Sequence, residues 1–322
     1  MTAELPTGPT RAGWLGPGLL LVLATAMISG VSTFVNLYAV HGTNSDAFVT
    51  VRNATVALVL VPMAVFAART YGSPLRKADW GRLVAIGVVG GGIPFLLFFH
   101  GLQLASAAHG GLTASFVYRT LFLMATVLGV VVLRERFHWR IALAAGLLMA
   151  GNFLLLNWKS SVWTDGSLYV LAATALWAVE YTISKRTLRD LPSGTVALGR
   201  MGIGALFLFG YLAATAQLGS ISGFTTGQWD WVGISAALLT AFVVTWYAGL
   251  KRVDLGVATS ILVLGFPVSW LLAVEVRGAA ATFWEAVGAG TIVCGVVAAA
   301  GLQAFRATWD FLKPARWFRP TA

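Results

Sequence analysis

Ten apolar runs, each separated from the next by a few polar residues, leave this chain few ways to fold. They fall at 15–38, 46–68, 82–104, 110–133, 138–157, 166–184, 193–216, 229–250, 256–276 and 282–305. A helix rises about 1.5 Å per residue, so about 20 apolar residues cross a hydrocarbon layer of about 30 Å. Inside that layer every backbone N–H and C=O must find a partner within the protein, and an apolar run of this length does so as a helix. Hydrophobic residues make up 58% of the 322 and charged residues 11%, about half the charged share of a soluble domain. The expected fold is an all-α membrane protein with ten transmembrane helices. No small-residue cleavage site follows the first run, and more helices do, so it reads as a spanning helix and not a removed signal peptide.

The net charge of +10 would suit nucleic acid, but its distribution points elsewhere. The N-terminal tail, the links after the second, fourth, sixth and eighth runs, and the C-terminal tail hold 17 Lys and Arg; the opposite links hold only Lys159 and Arg277. Basic short loops mark the cytoplasmic side, so both termini are expected there, in a bacterial inner membrane, with an even number of crossings. Residues 1–14 read as a short cytoplasmic tail. Residues 306–322 form a basic tail whose Trp309, Trp317 and Phe318 suit an interfacial anchor. Cys294 is the single cysteine, which excludes an intramolecular disulfide or a cysteine metal cluster, and the four histidines are scattered.

The halves repeat. Val49, Thr50, Val51 and Arg52 align with Ala197, Leu198, Gly199 and Arg200, and Gly101-Leu102 aligns with Gly249-Leu250, all at an offset of 148 residues. One offset serving two separate helices points to a five-helix duplication, residues 15–157 and 158–305. An odd number of crossings per unit turns the second unit upside down, giving two inverted repeats.

The densest stretch, 98–157, packs three helices around a charged knot, Leu133-Arg134-Glu135-Arg136. This turn, Arg52 and Arg200 in the second and seventh helices, Phe266-Pro267 in the ninth, and the glycine pairs Gly146/Gly151 and Gly290/Gly295 together resemble the EamA-type branch of the drug/metabolite transporter (DMT) superfamily over about residues 15–305. Two departures stand out. Arg119 occupies the place that Pro267 has in the other half, and the second glutamate turn is displaced, with Glu275 too early and Glu285 too late.

Arg119 lies about nine residues into the fourth helix, roughly 14 Å from its outer end and so near the midplane. A lipid-facing charge there costs at least several kcal/mol, which directs it into the bundle or a wet cavity. It reads either as an anion or carboxylate site or as an arginine held by backbone carbonyls or a structural partner. Glu180, within about 6 Å of the same level, is its natural partner. It reads as a proton-coupled carboxylate, as a counter-ion, or as a side chain reaching toward the cytoplasmic face. Trp177, Glu180 and Tyr181 share a helical face at i, i+3, i+4. With Tyr118, Trp246 and Trp270 they form a candidate substrate-binding wall. Arg52, Arg200 and Glu135 read as structural or gating residues. So do Pro94, beside Gly90–Gly92, and Pro267, beside Gly265, where a helix can bend.

No H-E-x-x-H, G-x-S-x-G or P-loop occurs, so no catalytic residue, metal or cofactor is expected, nor is ATP-driven transport within this chain. The resemblance implies alternating-access export of a small organic metabolite such as an amino acid, by uniport or in exchange with protons. The lipid bilayer and the small-molecule substrate are then the partners, and nucleic acid is not. A non-transporting membrane enzyme or scaffold acting on lipid-borne substrates is the alternative.

Overall fold

The computed structural model describes residues 11–40, 42–71, 75–107, 111–156 and 166–301. The outer parts of both tails, with Trp309, Trp317 and Phe318, lie outside them, as does Lys159. The described residues form helices joined by short links, and they contain no strand. Helix occupies each of the ten apolar runs: α1 (Arg11–Ala39), α2 (Ser45–Tyr71), α3 (Lys77–Ile86) running through a π-helical turn π1 (Gly87–Gly92) into α4 (Ile93–Ala107), α5 (Gly111–Arg119) and α6 (Leu121–Val131), and α7 (Trp139–Leu155). The second half continues with α8 (Ser167–Thr187), then α9 (Ser193–Leu198), π2 (Gly199–Ile203) and α10 (Gly204–Ala214), the short α11 (Gly219–Ser222), α12 (Thr226–Leu250), α13 (Leu255–Leu262) with α14 (Gly265–Arg277), and α15 (Phe283–Ala300).

Seven of these stretches are long and apolar enough to cross a membrane: Gly16–Ala39, Ser45–Phe66, Lys77–Leu104, Ser193–Ala214, Thr226–Leu250, Leu255–Arg277 and Phe283–Ala300. Phe116–Val131 and Trp139–Leu155 are apolar but shorter. α8, 21 residues long, carries Glu180, Lys185 and Arg186.

The packing repeats as the sequence does. α1 lies against α12 and α14, and its counterpart α8 lies against their counterparts α4 and α6. The equivalent helices α7 and α15 form the largest interface, where Gly151 and Gly288 meet: a Cβ on Gly151 would stand 2.7 Å from the Gly288 carbonyl oxygen, and one on Gly288 would stand 2.8 Å from that of Gly151. Only part of the expected glycine pairing is at this seam. Gly151 and Gly295 face it, whereas Gly146 and Gly290 have open space around them.

Proline and glycine explain the irregular helices. Pro94 has no N–H to give the Gly90 carbonyl four residues before it, and the helix widens into π1 just ahead of it. π1 crosses π2 so closely that a Cβ on Gly91 would lie 1.9 Å from the Arg200 carbonyl oxygen. Pro267 likewise leaves the Val263 carbonyl without its helical donor. The Phe266 N–H turns to it instead, at 2.9 Å, and the chain breaks between α13 and α14, leaving the Leu262 carbonyl free for a side chain.

Candidate functional site

Helices of both halves enclose a cavity of about 70 Å³, room for a few waters or one small organic group. Two helical stripes line it. α1 presents Ser29, Ser32, Thr33 and Asn36, and α4 presents Phe95, Phe98, Phe99 and Leu102, each at i, i+3, i+4, i+7. Tyr118, Trp177, Tyr181, Leu239 and Phe242 complete the wall, with Arg52 and Arg200 as its charges. The aromatic side chains brace one another edge to face. Phe98, Tyr118 and Trp177 stand mutually 5.3–5.4 Å apart, and the Trp177 indole N–H donates to the freed Gly90 carbonyl at 3.0 Å.

Glu180 is fully buried and directed inward, so it does not reach toward an aqueous face. Its partner is Arg200, at 3.7 Å, and not Arg119. Tyr247 donates to the same carboxylate at 2.7 Å, and Ser184, one turn on, donates too. Arg200 also donates to the Gly90 carbonyl at 3.3 Å, so π1, π2, α8 and α12 meet at one buried guanidinium–carboxylate pair, in which Tyr247 and Ser184 both donate to Glu180 Oε1 and Oε2 faces the guanidinium.

Arg119 stands behind the cavity wall. It donates to the Leu262 carbonyl at 2.9 Å, to Ser29 Oγ at 3.3 Å and to Thr33 Oγ1 at 3.4 Å, over Gly265, where any Cβ would come within 2.7 Å of the guanidinium. It thus satisfies the carbonyl released by the break ahead of Pro267, and it lies directly behind two polar residues of the α1 stripe. Tyr118, 5.1 Å from its charge, is the residue that faces the cavity.

Of the expected binding wall, Tyr118, Trp177 and Tyr181 line the cavity. Trp246 is buried beside it, 4.6 Å from the Tyr181 ring. Trp270 is elsewhere, donating at 3.3 Å to Glu285, which forms a reciprocal cap with Thr282 at the start of α15. Glu135 accepts from the Leu255 N–H at 2.8 Å and the Gly256 N–H at 3.3 Å, capping α13 from the other half. It is aimed by Arg134, whose left-handed φ of 58° ends α6 while the Glu135 N–H bonds the Gly129 carbonyl. Burial pushes the Glu135 carboxyl above its ordinary 4.5, against the pull of those two N–H groups. Lys185 closes the same side by donating to the Leu250 and Val253 carbonyls, each at 2.6 Å.

Arg52, Arg200, Leu239, Phe242 and the two stripes are cavity residues that sequence reasoning missed. For the α1 stripe the signal was present: its four polar residues share one helical face and are the repeat partners, at 148, of Trp177, Glu180, Tyr181 and Ser184.

A chain of apolar helices folded as two matching halves around a charged cavity is an integral membrane protein of the carrier type. The sequence profile described as the EamA-like transporter family matches residues 16–157 and again residues 164–300, and the chain belongs to that family of the DMT superfamily. A crystal structure with 20% identity has the same fold, with a TM-score of 0.66 over 87% of this chain and 98% of its own. No curated protein matches it significantly.

Proposed function

We propose that the protein is a secondary transporter that exports a small organic metabolite by alternating access, with the cavity between the halves as its substrate site. All ten helical stretches cross the membrane in this reading, as two inverted five-helix repeats. The asymmetry of 17 basic residues to two supports a reading in which both termini face the cytoplasm of a bacterial cell. The observation that carries the reading is the cavity itself, walled by α1, α2, α4 and α5 of one half and by α8, π2 and α12 of the other. A site shared in this way changes its access when the halves rock, and the breaks at π1, π2, Thr120 and Val263 are the places where the helices can bend. Uniport and exchange for protons are both compatible with it. Flux from proteoliposomes, guided by an export screen in cells expressing the chain, tests the proposal. Absence of flux for every metabolite exported by those cells would favour a membrane enzyme or scaffold.

A further inference from the structure

Three arginines and one glutamate are buried at the centre, and their partners are unequal. Arg200 is matched by Glu180 and Tyr247. Arg119 commits both terminal nitrogens to the Leu262 carbonyl and two hydroxyls, and its remaining Nε lies buried behind the wall, out of reach of the cavity. Arg52 is different. It is 2% exposed, and its Nε and Nη2 both donate to a single acceptor, Asn53 Oδ1, at 3.2 and 3.0 Å. Phe95 and Phe99 hold its charge at 4.8 and 4.7 Å from their ring centres. Among the described residues it makes no ion pair, and a guanidinium has five N–H donors, so Nη1 and part of Nη2 remain to be used.

The internal repeat shows what is missing. Arg52 corresponds to Arg200. The positions that correspond to Glu180 and Tyr247 are Ser32 and Phe99, both on the cavity wall. The first half therefore keeps the arginine, lacks the carboxylate and the phenol that satisfy it in the second half, and has open space beside it. The cavity wall has no Asp or Glu, so an ammonium group would be desolvated beside two guanidinium groups without an anionic partner.

We propose that the cavity binds a small organic monocarboxylate with an apolar body. The carboxylate is taken bidentately by Arg52 in the place equivalent to the Glu180 carboxylate, Ser32 donates to it, and the body rests against Phe95, Phe98 and Trp177. The site rejects the amino acid carrying the same body. This deepens the transport reading and rests on it, but its test is equilibrium binding and not flux.

The full chain, purified in detergent, is titrated calorimetrically with propionate and butyrate, with the matching amines and alcohols, and with alanine and 2-aminobutyrate. At least one carboxylate should bind ten-fold or more tightly than its amine, its alcohol and its amino acid. Arg52→Gln should remove that preference, so that the carboxylate binds within about two-fold of its alcohol. Ser32→Glu should supply the internal counter-ion, abolish carboxylate binding and leave the chain at least as thermally stable as the wild type. Equal or tighter binding of amine or amino acid, or no binding of either carboxylate, overturns the proposal in the wild-type protein alone. Carboxylate binding without flux would instead overturn the transport reading and leave this site standing.

Discussion

Gly91→Ala tests the closest contact in the fold. A Cβ at this position would lie 1.9 Å from the Arg200 carbonyl oxygen, and contacts under 3.0 Å essentially do not occur, so π1 and π2 must separate by at least 1.1 Å. No flexible side chain is available to move aside: the atoms met are the Arg200 carbonyl oxygen and carbon and the Gly204 Cα, all backbone. Overpacking costs about 1–3 kcal/mol, and a backbone clash belongs at the upper end. The helical preference for alanine over glycine returns about 1 kcal/mol, leaving a net loss of about 2 kcal/mol. The same substitution at Gly146, with open space around it, keeps only that favourable part. At about 2–4 °C per kcal/mol, Gly91→Ala should melt roughly 4–8 °C below the wild type and Gly146→Ala at or slightly above it. The separation also draws Arg200 from the Gly90 carbonyl, so ligand binding should weaken in the protein that remains folded. Thermal unfolding in detergent gives the comparison. A Gly91→Ala protein as stable as Gly146→Ala would show that the π1–π2 crossing is not the rigid contact described.

Glu180→Gln should lower stability by about 3 kcal/mol, because it leaves the buried Arg200 without its carboxylate; an equally stable variant whose flux no longer depends on pH would make Glu180 a proton carrier instead. Arg119→Met should destabilise the chain by about 1–3 kcal/mol through the lost bond to the Leu262 carbonyl, with ligand affinity within about two-fold in the folded fraction; a stable variant that has lost binding would return Arg119 to the substrate site. For Glu135 the folded carboxyl binds its proton more readily than the unfolded one. Stability should therefore fall as pH rises from 4.5 through its raised value, and Glu135→Gln should flatten that slope in melting curves taken between pH 4.5 and 7.

The helices, the duplication and the family were legible because each rests on a linear signal: run length, a fixed offset, and short motifs. The partners of the buried charges were not. Counting 1.5 Å per residue gives the depth of Arg119 and Glu180 but not the direction either side chain takes around its helix, and they point to different neighbours. From sequence Arg200 reads as a structural or gating residue; in the fold it donates to the Gly90 carbonyl and also lines the cavity. Its identical repeat partner Arg52 was read the same way, although the replacement of Glu180 by Ser32 and of Tyr247 by Phe99 changes what surrounds it. Pro94 and Pro267 signalled irregular helix from sequence. Which carbonyls they release, and that Trp177, Arg200 and Arg119 take them, depends on the packing of separate helices.

An anionic substrate gives export a driving force that needs no second ion. Moving one negative charge out of a compartment that is negative inside releases about 2.3 kcal/mol per 100 mV, enough for about a fifty-fold gradient. Arg52 and Arg200 are fixed on their helices, so a uniporter of this kind moves the charge of the carboxylate alone. Proteoliposomes loaded with whichever carboxylate binds, and clamped with a potassium gradient and valinomycin, should lose it faster when the interior is negative and more slowly when it is positive. The Arg52→Gln protein should show neither the rate nor the voltage dependence. Flux that ignores the clamp but requires a pH gradient would mean that a proton accompanies each carboxylate in the same direction, and proton symport would replace uniport. Glu180, the buried carboxylate bound to Arg200, would then be the group to exclude first, since Tyr247 and Ser184 already hold it and would have to release it for a proton to be passed on.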